Sequence, residues 1–205
     1  MKEAIYQKPI EQIIANANVG SIFLVSDFMH LTSYDCANMV LLRMTKAKKL
    51  RRIIRGIYEK PDYNEFLGEY IAPSPEKVAQ AIARNFGWTI VPCGDTALNA
   101  LGLSTQIPTV WLYVSDGPYK TYSFDNTTIE FRHTTNKDIS KFSYKTSLII
   151  QALKALGKEN IDDSVIAKLR SVIADEEKAV MLAEAKTATA WIYEYIKVIC
   201  KDQGE

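Results

Sequence analysis

Residues 40–60 read VLLRMTKAKKLRRIIRGIYEK, and their hydrophobic pattern changes period halfway. Up to Met44 the spacing is helical: Ala37, Val40, Leu41 and Met44 stand at i, i+3, i+4 and i+7, one stripe of an amphipathic helix. From residue 50, Leu50, Ile53, Ile54, Ile57 and Tyr58 are mixed with Arg51, Arg52 and Arg55, a β-branched run that suits strands. Gly56 tolerates the positive φ of a tight turn. The stretch therefore predicts a helix over about 33–48, with Thr32-Ser33 as its N-cap, and a β-hairpin with a basic tip over 50–58.

Working back toward the N-terminus, Ile10, Ile13, Ile14 and Ala17 share one face of a helix over roughly 9–18. Ile22-Phe23-Leu24-Val25 predicts a short strand, and Ser26-Asp27 caps one or two helical turns through 28–31. The order is helix, short strand, short helix, helix, hairpin, which is that of a winged helix-turn-helix. The helix at 33–48 would be the recognition helix and 50–58 the wing. The turn-rich Pro61-Asp62-Tyr63-Asn64 closes the segment, so residues 1–62 are expected to form the first domain.

Working forward, residues 65–140 are expected to form an α/β domain. Pro73-Ser74-Pro75 caps a helix over 76–86; a strand is expected at 88–91, and a short helix at 95–101 has Asp95 as its N-cap. A buried strand is expected at 109–114, then a hairpin whose strands, 120–124 and 127–133, flank Asp125-Asn126. Residues 141–205 read as a helical extension packed on that domain, ending in one long helix over 175–201 with Ala188, Trp191, Ile192, Tyr195 and Ile199 on its buried side. The fold class is thus α+β: a winged helix-turn-helix, an α/β domain and a helical C-terminal extension.

Composition narrows the function. Of 205 residues, 47% are hydrophobic and 24% charged, ordinary values for a folded chain. No apolar run reaches the ~18 residues of a membrane span, and MKEAIYQKPIEQII lacks a signal peptide's apolar centre, so a cytoplasmic protein is expected. Three separated cysteines and two histidines form neither a disulfide framework nor a zinc ribbon. There is no P-loop, dinucleotide glycine fingerprint or nucleophile elbow, so no cofactor, no metal and no enzyme activity is expected. Net charge is +1, but residues 1–60 hold 10 Lys+Arg against 5 Asp+Glu, a balance of +5, leaving 15 against 19, or −4, for the rest. Between Arg43 and Lys60 stand eight basic residues and one acid, Glu59. Such a patch addresses a polyanion; the alternative is a solvated helix end beside a basic turn.

On the predicted recognition helix, the side opposite the apolar stripe carries Asp35, Asn38, Met39, Leu42, Arg43 and Lys46. Asn38 and Arg43 are the candidate base readers, since Asn pairs bidentately with adenine and Arg with guanine in the major groove. Ser33 and Tyr34, at the helix N-terminus, are placed for phosphate or base edges. Lys46, Lys48, Lys49, Arg51, Arg52 and Arg55 are the candidate phosphate ligands, although lysines at a helix C-terminus also relieve the macrodipole. Met39 and Leu42 either contact thymine methyl groups or mark a protein-docking face. The expected partner is double-stranded operator DNA, with a homodimer as a compatible assembly; the alternative is a protein–protein interaction module on a winged-helix scaffold. Two further segments carry polar or nucleophilic residues. Cys93 before a short helix is either an activated thiolate or a small buried hydrophobe. Asn99, Ser104, Thr105 and Gln106 either satisfy loop backbone or line a pocket.

The segments GSIFLVSDF (20–28), VLLRMTKAKKLRRIIRGIYEKP (40–61), PSPEKVAQAIAR (73–84) and VPCGDTALNALGLSTQIP (91–108) resemble the AbiEi-like antitoxin and transcriptional-regulator family of type IV toxin–antitoxin systems, in an uncharacterised bacterial branch. The resemblance spans about residues 10–135, with GDTALNALGLSTQIP its most specific part. It implies an N-terminal winged helix that represses its own operon and a C-terminal domain associated with antitoxicity. It also implies a functional link to a nucleotidyltransferase toxin without a stable complex.

Overall fold

Ser33 stands at the N-cap of a helix, its hydroxyl accepting the backbone N–H of Cys36 at 3.4 Å. The computed structural model describes residues 3–134, 139 and 141–201, and side chains from residue 7 onward. Its first elements are α1 (Glu3–Asn16), β1 (Ile22–Leu24), a 3-10 turn (Val25–Phe28), α2 (Tyr34–Lys46), β2 (Arg51–Ile54) and β3 (Ile57–Glu59). The three strands form an antiparallel sheet in the order β1-β3-β2. Helices α1 and α2 pack together, and Ile10, Ile14, Phe23, Phe28, Val40, Leu41, Met44, Leu50 and Tyr58 share one core. This is winged-helix topology.

Three details depart from the sequence reading. Helix α1 starts at Glu3 and carries Pro9 inside it; Ile10 and Ile14 are buried while Ile13 is exposed. The helix expected at 28–31 is instead the single 3-10 turn at Val25–Phe28. The Asp27 carboxylate accepts the N–H of Leu24 at 2.9 Å, so this turn is capped from its own interior rather than by Ser26. In the wing, the β2–β3 register shifts between Arg52 and Ile54. That bulge interrupts the alternation that would have set Arg51, Ile53 and Arg55 on one face.

The first compact unit is Met1–Gly87 with Phe124–Asn126, longer than the expected 1–62. The segment Pro61–Asn64 is no linker: it leads into a second hairpin, β4 (Tyr63–Asn64) paired with β5 (Glu69–Tyr70), and the N–H of Ile71 returns to the carbonyl of Asp62 at 2.9 Å. Helix α3 (Pro75–Phe86), capped by Ser74 with Pro75 in its first turn, packs against β1 and β3. Arg84 pairs with Asp27 at 3.0 Å, and Lys77 donates to the Gly20 carbonyl at 3.3 Å. Buried contacts of α3 with the first sheet outweigh the turn composition that suggested a boundary.

The second unit is Trp88–Ser123 with Thr127–Glu205. Its strands β6 (Ile90–Pro92), β7 (Val110–Ser115), β8 (Lys120–Phe124) and β9 (Thr127–His133) form a sheet in the order β6-β7-β9-β8. β6 runs antiparallel to β7, and β9 runs parallel to β7, from Val110↔Thr128 to Ser115↔His133. Gly117 follows β7 because a Cβ there would lie 2.4 Å from the Trp88 ring. Among the described residues it also holds helices α4 (Asp95–Ala100), α5 (Tyr144–Leu156), α6 (Asp163–Ser171), α7 (Asp175–Ala185) and α8 (Ala190–Cys200), with a 3-10 turn at Lys158–Asn160. Val91, Ala97 and Leu101 share a core with Ile149, Leu153, Leu169, Ile192 and Ile196, so the C-terminal helices belong to the same body as the sheet. The single helix expected over 175–201 is two, α7 and α8. Thr187 donates its hydroxyl to the Glu184 carbonyl at 3.2 Å, and Thr189 takes the N-cap position of α8. Two β-branched threonines, one of them bonding back to the preceding turn through its hydroxyl, disfavour helix continuation here.

Candidate nucleic-acid interface

Helix α2 buries Ala37, Val40, Leu41 and Met44. Opposite that stripe its crest carries exposed Asp35, Met39 and Lys46 and half-buried Leu42. The two candidate base readers lie on opposite flanks of this crest, about 140° apart at 3.6 residues per turn. Asn38 faces the wing: its Oδ1 accepts the hydroxyl of buried Tyr58 at 3.3 Å. Arg43 faces α1, donating from Nη1 to Gln7 Oε1 at 3.4 Å. The structure therefore does not bring Asn38 and Arg43 onto a single surface. It gathers Asn38, Tyr34 and Arg52 around Tyr58 instead. Arg52 is paired with Tyr58 across the strands. Burial pushes the Tyr58 phenol above its ordinary pKa; Arg52 opposes that shift and Tyr34 adds to it. Tyr58 was missed in the sequence because it read as an apolar strand residue; regular pairing continued from Ile54↔Ile57 would set it opposite Ile53, and only the bulge brings it opposite Arg52.

The basic segment splits into cations held by remote partners and cations left exposed, Arg52 among the latter with only its Nε donating locally to the Ile54 carbonyl at 3.4 Å. Arg51 donates from Nε to Glu59 at 3.0 Å and from Nη2 to the Ile71 carbonyl at 2.8 Å, and Glu59 is 2% exposed. Its role is to hold β2, β3 and the second hairpin together, so it is set apart from the expected phosphate ligands. Lys60 caps the end of α1, donating to the carbonyls of Ala15 and Ala17, each at 2.7 Å. Lys46, Lys48, Lys49, Arg52 and Arg55 remain exposed, running from the C-terminus of α2 to the wing tip. Lys48 adopts φ +57° and so turns the chain from helix to strand, with Lys49 donating its N–H to the Met44 carbonyl at 2.9 Å. Gly56, at φ +82°, closes the tip beside Arg55. Of the N-terminal candidates, Ser33 is engaged as the cap and Tyr34 is 52% exposed.

Beside these cations lies a cavity of about 410 Å3 within the first unit. Thr45, Leu50, Pro61 and Tyr70 line it together with Lys48, Arg51 and Arg52. No acidic residue is among them. It escaped the sequence reading because Pro61 and Tyr70 reach it only through the fold of the second hairpin.

In the second unit, Cys93 and the polar cluster at 99–106 take structural parts. Cys93 is buried, and desolvation first of all pushes its thiol up to about 11, the opposite of an activated thiolate. Its neighbour Gly94, not Asp95, is the N-cap of α4. Asn99 donates from Nδ2 to the Gln106 carbonyl at 3.0 Å, and Ser104 accepts the Gln106 N–H at 3.2 Å, so this cluster satisfies its own loop backbone. Asp116 accepts the N–H of Thr89 at 2.8 Å, and Nδ1 of His133 is 2.8 Å from the Gly117 carbonyl. Among the described residues, no group of three or more His, Cys, Asp or Glu is placed to hold a metal, and no helix is long and apolar enough to cross a membrane.

The chain belongs to DUF6088, a family of unknown function, whose profile matches residues 9–181. No curated protein matches it.

Proposed function

We propose that this protein is a sequence-specific, double-stranded DNA-binding regulator acting in the cytoplasm through the winged helix of its first unit. One observation carries this reading. Five cations, Lys46, Lys48, Lys49, Arg52 and Arg55, stay exposed on a continuous stretch from the end of α2 to the wing tip, while Arg51 and Lys60 in the same stretch are engaged internally. Cations at the end of a groove-sized helix and on an adjoining hairpin suit phosphates on either side of a major groove. Tyr34, Asn38 and the α2 crest then face base edges. The resemblance to AbiEi-like antitoxins supports an autorepressor of a toxin–antitoxin operon, linked in function to a nucleotidyltransferase toxin without binding it stably.

Titration of a fluorescent operator duplex and a scrambled duplex at several salt concentrations tests this. Engagement of four or five phosphates gives a slope of log affinity against log salt of roughly −4. Weak, salt-insensitive binding to both duplexes would remove the reading. A second reading has its own observation: Met39 is 45% exposed beside Leu42 and Asp35 on the α2 crest, a mixed surface that also suits a protein partner. Met39→Ser should leave phosphate-driven binding to scrambled DNA intact if α2 reads DNA; loss of a protein partner without any change on DNA would favour the interaction module.

A further inference from the structure

The cavity beside the wing has the makings of a small-molecule site. Its volume of about 410 Å3 lies within the range of ligand pockets. Tyr70 offers a ring that is 52% exposed and is held edge-on by Tyr63, with ring centroids 5.0 Å apart at 67°. Pro61 and Leu50 add apolar surface, while Lys48 and Arg52 add positive charge. Glu59 answers the charge of Arg51, so the cavity's uncompensated charge comes from Lys48 and Arg52. An aromatic face beside two cations recognises a planar ring that carries an anionic group.

We propose that this cavity is an effector site for a free aromatic anion of nucleoside-monophosphate size, its ring against Tyr70 and Pro61 and its phosphate on Lys48 and Arg52. Occupation withdraws those two cations from the DNA backbone, so effector and duplex compete. The competition rests on the DNA-binding reading; the site itself does not.

The test uses the full chain with adenosine 5′-monophosphate as probe and with adenosine and inorganic phosphate as controls, followed calorimetrically, and then duplex titrations with and without the probe. The nucleotide is expected to bind at least about tenfold more tightly than either control, because ring and phosphate act together. Tyr70→Ala should weaken it about tenfold by loss of stacking, whereas Tyr70→Phe retains it and both variants keep duplex affinity. Saturating nucleotide should raise the duplex Kd. Duplex binding without nucleotide binding overturns the site alone. Nucleotide binding without any duplex binding upholds the site and overturns the competition. If Tyr70→Ala weakens duplex and nucleotide by the same factor, the ring serves a nucleotide of the DNA itself and the effector role falls.

Discussion

The two hairpins of the first unit are built on different plans. β2–β3 is anchored from below: Ile57, Tyr58 and Glu59 are all buried, Tyr58 is tied to Asn38 of α2, and Arg51 is locked onto Glu59. What it presents outward is charge, from Arg52 and Arg55. β4–β5 buries none of its strand residues. Its turn is made locally: Asn64 Oδ1 accepts the N–H groups of Phe66 and Leu67, each at 3.0 Å, and Gly68 takes φ +68°. It presents an apolar tip, with Phe66 96% and Leu67 64% exposed. The first hairpin thus depends on distant partners and the second on its own turn chemistry, so equal perturbations should have unequal consequences.

The largest effect should come from reversing the presented charge of the first hairpin. Arg52→Glu combined with Arg55→Glu is expected to reduce duplex affinity by about 100-fold or more, since two phosphate contacts are lost and two repulsions gained. The thermal unfolding midpoint should stay close to wild type, because both side chains are exposed. Duplex affinity within threefold of wild type would show that the wing does not meet DNA.

Next in size is the anchor beneath it. Glu59→Gln leaves the guanidinium of Arg51, 26% exposed against 3% for Glu59, without its counter-charge. The expected cost is about 2 kcal/mol in urea-induced unfolding. A cost under about 0.5 kcal/mol, typical of a surface pair, would mean that this hairpin is no better anchored than the second.

The Tyr58–Asn38 tie is smaller. Asn38→Ala should cost about 1 kcal/mol of stability by orphaning the buried Tyr58 hydroxyl. In a Tyr58→Phe background most of that cost should vanish, and a double-mutant cycle measures the difference. Additive costs would separate Asn38 from the wing and return it to the role of a free base reader.

Smallest of all, Phe66→Ser with Leu67→Ser should change stability by no more than about 0.5 kcal/mol and leave duplex binding unchanged, because nothing in the second hairpin's strands is buried. A loss of stability above 1 kcal/mol would show that its tip is engaged and that the contrast between the hairpins is false.

Part of this contrast was legible in the sequence. The span of α2, its Ser33 cap, the turn at Gly56, the Ser74 cap of α3 and the limits of β8 and β9 follow from periodicity, capping residues and turn chemistry, all of which act within a few residues. The list of cations beside α2 was legible too, as a list. Which cations are occupied was not. Arg51 is engaged by Glu59 and by the carbonyl of Ile71, and Lys60 by carbonyls at Ala15 and Ala17. Those partners lie eight to 45 residues away in the chain.

The same division runs through the whole molecule. Local preferences were enough to give a helix, a short strand, a second helix and a basic hairpin in the order of a winged helix, and to mark residues 40–60 as the charged segment. Long-range packing placed α3 with the first sheet, set β9 parallel to β7, tied Asn38 to Tyr58 and Arg43 to Gln7 and brought Tyr70 beside Lys48. Periodicity tells which face of an element is apolar but not which surface covers it. Burial and ion pairing are settled only when covalently remote groups meet.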